Sequence, residues 1–200
     1  MRHPLAQALL LVLFTVGGCA PSWIIVKQAS PNPLAGKRSF AAQGLGWDQV
    51  LIGAREQDRV RLDDYVNKKK PEEQAPFREA LQKDFAGAGE LFKSKLSDKA
   101  KGIGLEIAAA PGEGVFGIKS TVKIYEPGFW SPVGFGNRAT ELHVTVVIAD
   151  AAGNVVDEVG LYAAVMPGTF NPATGQRIRE AAEAIGAQLA KYLEGRTAGR

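Results

Sequence analysis

The clearest pattern of apolar and polar positions covers residues 118–165, where three alternating runs are joined by two connections. From Phe116 onward, Phe116, Ile118, Val122 and Ile124 alternate with Lys119, Thr121, Lys123 and Tyr125, the two-residue period of a strand with one packed and one wet face. Leu142, Val144, Val146 and Ile148 repeat it, with His143, Thr145 and Val147 on the opposite face. A third run places Val155, Val159, Leu161, Ala163 and Val165 together, with Asp157 as the one misfit. Between the second and third runs, Asp150, Gly153 and Asn154 predict a tight antiparallel hairpin. Gly tolerates positive φ there, and Asp accepts hydrogen bonds from its own turn. The runs predict a meander.

Two segments carry the helical period instead. Phe77, Leu81, Phe85, Ala88, Phe92 and Leu96 recur at three-to-four spacing, predicting an amphipathic helix that opens at Pro76, contains Gly87 and Gly89, and ends at Gly102. The charged cluster before it, 68–73, reads as a solvated loop. Over 176–194, Ile178, Ala182, Ile185, Leu189 and Tyr192 form one stripe, with Arg177, Arg179, Glu180, Glu183, Gln188 and Lys191 outside it and 195–200 a frayed tail. Short apolar runs at 23–26 and 40–45 predict strands at sheet edges. The fold class expected is α/β (α+β), a mainly antiparallel sheet with a C-terminal strand meander and two packed helices.

Composition narrows the function classes more than it names one. The 200 residues are 46% hydrophobic and 22% charged, values that suit one globular domain. The formal charge is +3, and removal of Arg2 with a leader lowers it to +2, too little to argue for nucleic acid. Residues 1–18 read as a signal peptide: Arg2 and His3 precede an apolar core over 5–16, too short to span a bilayer, and Val16, Gly17 and Gly18 lead into Cys19. Small residues before a Cys at this distance resemble the bacterial lipoprotein box, which implies acylation (palmitate and related chains) of Cys19 as the mature N-terminus. Cys19 is also the only Cys, so it has no internal disulfide partner. Ala20 stands where an Asp would resemble an inner-membrane retention signal, so the expected address is the periplasmic face of the outer membrane. Residues 19–22 form a short tether and 19–200 one periplasmic domain.

Reaction chemistry is expected to be absent. Once a leader is removed, His143 is the only His, which leaves a hydrolytic triad without a second candidate base and a metal site without a second imidazole. Gly112, Gly114 and Gly117 spell a G-x-G-x-x-G, but a strand pattern follows where phosphate binding needs a helix N-terminus. Asp157 and Glu158 are adjacent and would point to opposite faces of a strand. No catalytic residue, metal ligand or cofactor is therefore assigned, and an enzyme is not expected. The remaining candidate is the Gly/Pro loop over 127–137 with Phe129, Trp130 and Phe135, which would form a partner or membrane site if exposed. The preferred expectation is that these aromatics fold back over the end of the sheet.

A resemblance bears on this. The residues Ile124, Tyr125, Glu126, Pro127 and Gly128, then Gly134, Phe135 and Gly136, Ala139, Leu142, His143 and Val144, Asp150, and Gly153 to Val156 together resemble the core of the domain-of-unknown-function 4410 family, exported and often lipid-anchored bacterial proteins. The likeness covers about 118–193, and two positions depart from it: Arg138 replaces a smaller residue, and the connector after Val165 contains Pro. It implies no activity and no catalytic residues. The function expected is a non-catalytic, lipid-anchored envelope protein that binds an envelope partner or assembles with itself. The alternatives are a carrier of lipid or another apolar ligand between sheet and helices, and a carboxylate-dependent periplasmic enzyme.

Overall fold

The alternating runs become one eight-stranded sheet with helices on one side. The computed structural model describes residues 23–108, 110, 112, 114–133 and 136–199, so the expected leader, Cys19 and Phe135 lie outside the described residues. In chain order the elements are β1 (Trp23–Gln28), β2 (Ser39–Gly46), β3 (Leu51–Ile52), a 3₁₀ turn (Glu56–Asp58) and β4 (Val60–Arg61). Then come α1 (Leu62–Asn67), α2 (Pro71–Gly102), β5 (Glu106–Ala108), β6 (Phe116–Glu126), β7 (Thr140–Ala149), β8 (Val155–Val165) and α3 (Thr174–Thr197). The principal strand order is β1-β8-β7-β6-β2-β5.

The meander is present as β6, β7 and β8, each antiparallel to the next, with β1 added antiparallel at the outer edge of β8. Its second turn is built as the residues dictate: Asp150 Oδ1 accepts from the amides of Ala152 and Asn154, both at 2.9 Å, and Gly153 takes φ 85. The other half of the sheet is parallel. β2 pairs in parallel with both β6 and β5, and β3 continues along β6. This places β2 inside the sheet rather than at the edge expected from its short apolar run, because α1 and α2 carry the chain back to lay β5 outside it.

Two phase changes correct the sequence reading of the strands. In β6 the expected face holds through Val122, then a register shift between Val122 and Ile124 turns Tyr125 into the core and leaves Ile124 half-buried on the other face. In β8, Val155 is exposed and Val156 buried, since the pairing with β7 shifts between Ile148 and Ala149. Asp157 then falls on the packed face with Val159, Leu161 and Ala163, where it is fully buried.

The helices lie against that face. α2 buries Leu81, Phe85, Ala88, Phe92 and Leu96 as its spacing requires, but it starts at Pro71, whose missing amide hydrogen is no loss in a first turn. Glu72 and Glu73 are thus helical rather than loop, and Pro76 lies inside the helix. α3 likewise continues past the expected end to Thr197. The two helices run parallel: Asp84 meets Arg179, and further along Lys95 meets Glu183. Their crossing is close because Gly186 has no side chain; a Cβ there would stand 2.6 Å from the Phe92 carbonyl oxygen. Leucine, valine, isoleucine and phenylalanine side chains from both layers fill the interface between sheet and helices.

Candidate functional site

The β6–β7 hairpin end gathers the features that sequence leaves open. Its loop begins as an extension of the ladder: Phe129 and Arg138 exchange backbone hydrogen bonds at 3.0 and 2.9 Å. Gly128 makes this possible at φ 69, where a Cβ would lie 2.6 Å from the carbonyl oxygens of Arg138 and Ala139. Asn137 Oδ1 then accepts from the Ser131 amide at 2.7 Å. Phe129 stands 51% exposed at this braced base of the loop, and Val133 is 72% exposed. Trp130 is half-buried. The preferred expectation, that the aromatics fold back over the sheet, therefore fails for Phe129, whose place on the hairpin extension carries it beyond the last sheet residues.

Beneath the loop, on the helix side, lies Arg177. The helical stripe excludes it, yet it is 1% exposed. Its Nε donates to Thr140 Oγ1 at 2.9 Å, and Nη1 donates to the carbonyls of Asn171 (3.2 Å) and Pro172. Nη2 donates to the Pro127 carbonyl at 3.3 Å and to Thr174 Oγ1 at 3.2 Å. All five donors of the guanidinium are occupied without a carboxylate. Burial pushes its pKa below the ordinary value, yet an Arg remains charged. One side chain thus fastens the hairpin loop to the connector between β8 and α3.

On the opposite, helix-free face the same hairpin end holds a cluster of ionisable groups. Glu126 and Glu141 are direct register partners. Arg138 Nη1 lies 3.9 Å from Glu126, and His143 Nε2 3.7 Å from Glu141. His143 also meets the Tyr162 ring edge-on at 4.8 Å. Burial, and then the facing Glu141, raise the Glu126 carboxyl above its ordinary pKa, and Arg138 opposes this. These two carboxylates face one another on an open sheet surface, whereas Asp157 and Glu158 point to opposite faces as expected. Among the described residues no group of three or more His, Cys, Asp or Glu is placed to hold a metal ion.

A second polar cluster lies at the far end of the strands. Arg196, expected in a frayed tail, donates through Nε to Asp157 Oδ2 at 2.7 Å and through Nη2 to Oδ1 at 3.0 Å. Tyr192 Oη donates to Oδ2 at 2.8 Å, and its phenol is pushed up to about 12 by burial and by that hydrogen bond. A groove of about 740 Å3 also runs beside α2, lined by Leu45, Asp48, Arg61, Phe85, Glu90 and Lys93. Trp47 lies along it, stacked on Phe85 at 4.1 Å.

β1 supplies the most exposed apolar strand. Ile24, Ile25 and Val26 are 74%, 51% and 62% exposed. β8 is the only strand that pairs with β1 among the described residues, so the other side of β1 is a sheet edge. Among the described residues no helix is long and apolar enough to cross a membrane.

No protein-family description and no curated protein sequence matches the chain. Solved structures do. The chain is similar to a candidate lipoprotein from Caulobacter crescentus CB15 at 14% identity and TM-score 0.38, over 54% of this chain and 80% of that one. It is also similar to PelC from Paraburkholderia phytofirmans, a dodecamer, at 10% identity and TM-score 0.41, over 83% of this chain and 96% of that one. A single-substitution variant of the same dodecamer gives 12% identity and TM-score 0.39, over 84% and 95%.

Proposed function

We propose that the protein is a lipid-anchored component of the bacterial cell envelope that acts by binding a protein chain, another envelope protein or a copy of itself, and performs no catalysis. The reading joins the lipoprotein box at Cys19 and the resemblance to the domain-of-unknown-function 4410 family to one structural observation. That observation is β1, a sheet edge whose three consecutive aliphatic residues are all more than half exposed. An edge strand offers a row of unpaired amides and carbonyls, and natural proteins ordinarily blunt such edges with charge, Pro or a covering element. Here Lys27 is the one charge in the strand, and its Nζ is turned back onto the Val155 carbonyl at 2.8 Å; a register shift between Ile25 and Lys27 is the one irregularity, and it leaves Ile24, Ile25 and Val26 exposed. Addition of a strand would satisfy the backbone and cover Ile24, Ile25 and Val26 in one step. Placement on the periplasmic face of the outer membrane belongs to the same proposal and rests on the residues around Cys19.

The test is photo-crosslinking in the native envelope from positions 24 and 25. A discrete adduct with a second copy or with one envelope protein, lost on Val26→Pro while the protein stays folded, is the expected result. Adducts to lipid alone, or an unchanged pattern in the Pro variant, would overturn the strand-addition reading.

A further inference from the structure

Of the ten large hydrophobic residues exposed among the described residues, three lie along β1 and four lie on two loops at one end of the sheet. The four are Phe129 and Val133 on the hairpin loop, and Met166 and Phe170 on the connector, with 51%, 72%, 61% and 96% exposure. Topology brings the loops together: β7 begins at Thr140 opposite Val165, the last residue of β8. Arg177 then ties them, donating to Pro127 at the base of one and to Asn171 and Pro172 in the other. Both loops are also internally braced, the connector by Asn171, which accepts from the Gly168 amide at 2.6 Å and donates to the Met166 carbonyl at 3.3 Å. Phe129, Met166 and Phe170 therefore sit on hydrogen-bonded stretches of backbone.

The chain enters the sheet toward this same end. β1 is antiparallel to β8, with Trp23 opposite Leu161, four positions short of Val165. Those four positions correspond to about 13 Å of strand. The four steps from Cys19 to Trp23 reach at most about 14 Å whatever their conformation. An acyl group on Cys19 would thus be held within reach of the surface carrying Phe129, Val133, Met166 and Phe170.

From this placement we infer that the loop end of the domain docks on the lipid bilayer, with those four side chains entering the headgroup and upper acyl region of the membrane that holds the anchor. The inference rests on acylation of Cys19. A short tether keeps the local concentration of bilayer at the loops high, so even a small apolar patch remains engaged. The rim suits an interface rather than a hydrocarbon interior. Because α2 runs parallel to α3, its N-terminus brings Lys68, Lys69 and Lys70, followed by Glu72 and Glu73, to this end, and Arg138 projects beside Phe129. In this orientation the strands stand along the membrane normal and the β1 edge faces sideways, toward neighbours in the same leaflet. Phe129, which sequence alone offers to a partner or to a membrane, is thereby assigned to lipid.

The acylated full-length protein tests this directly, since acylation blocks its only Cys. Val133→Cys, Phe170→Cys and, as a control on the exposed face of α2, Leu91→Cys are each labelled with an environment-sensitive fluorophore. The labelled proteins are then bound to phosphatidylcholine vesicles bearing nitroxides near the headgroups. Docking predicts blue-shifted emission and severalfold stronger quenching at 133 and 170 than at 91. Protein that floats with the vesicles but shows equal, weak quenching at all three positions would overturn the docking and leave the anchor intact. Protein that fails to float would overturn both.

Discussion

Asp157 and Arg196 form a two-pronged ion pair in the core, with Nε–Oδ2 at 2.7 Å and Nη2–Oδ1 at 3.0 Å, between the first residues of β8 and the last turn of α3. Both side chains are almost wholly buried, and Tyr192 occupies the carboxylate as well. Asp157→Ala strands a guanidinium in the interior and should cost about 3–5 kcal/mol in a urea titration. The double change Asp157→Leu with Arg196→Met removes both charges together and should cost far less. A double variant as unstable as the single one would show that the pair does more than neutralise itself.

Arg177 makes a different prediction because its partners are carbonyls and hydroxyls. Arg177→Lys keeps the charge but cannot fork to Thr140, Pro127 and Asn171 together. Stability should fall by about 1–3 kcal/mol, the range for leaving a buried acceptor unpaired. Hydrogen exchange at the Phe129 and Arg138 amides should quicken while the middle of β7 stays protected.

Close helix packing is tested by two glycines of α3. A Cβ at Gly186 would lie 2.6 Å from the Phe92 carbonyl oxygen and 3.2 Å from the Leu96 amide nitrogen, both backbone atoms that cannot step aside. Gly186→Ala should destabilise by about 1–3 kcal/mol. At Gly195 nothing stands within 4 Å of the added carbon, and the same substitution should stabilise by about 0.4–1 kcal/mol. Thermal unfolding of the pair gives opposite signs.

Glu126 sets a pH dependence. Burial and Glu141 raise its carboxyl in the folded state, so the fold holds more protons than the unfolded chain once pH exceeds the ordinary Glu value of 4.5. The stability contributed by this group is thus full below that value and declines as pH rises through the raised one. Glu126→Gln should be more stable than the parent at pH 7, by a few tenths to about 1 kcal/mol as expected for relieving a facing like-charge pair, and equal to it at pH 3. Denaturation midpoints at the two pH values check the sign.

Local patterns make the architecture legible, and long-range partners hide the rest. Leu142 to Ile148 alternate without a break, and that run is β7; the spacing of Phe85, Ala88 and Phe92 likewise marks the buried face of α2. Tyr125 escapes the pattern because a single extra residue in β6 inverts every face after it, and nothing near Val122 signals the bulge. Asp157 reads as a flaw in β8 because its partner Arg196 is 39 residues away. Arg177 reads as solvent-facing because charge on a helix usually belongs there, and Arg196 because it falls past the expected end of the helix; each is buried only because the fold brings it acceptors. A short apolar run identifies β2 as a strand, but its parallel place inside the sheet depends on where α1 and α2 return the chain.

α3 ends at Thr197, whose carbonyl accepts the Gly36 amide at 2.9 Å, beside the start of β8. The eleven residues of β8 separate that point from the Phe129 and Phe170 loops by about 35 Å. A reporter domain fused after α3 would be carried at the opposite pole from those loops. It would sample the aqueous compartment rather than whatever surface the loops rest on, which makes the C-terminal side the place for a label that leaves binding undisturbed.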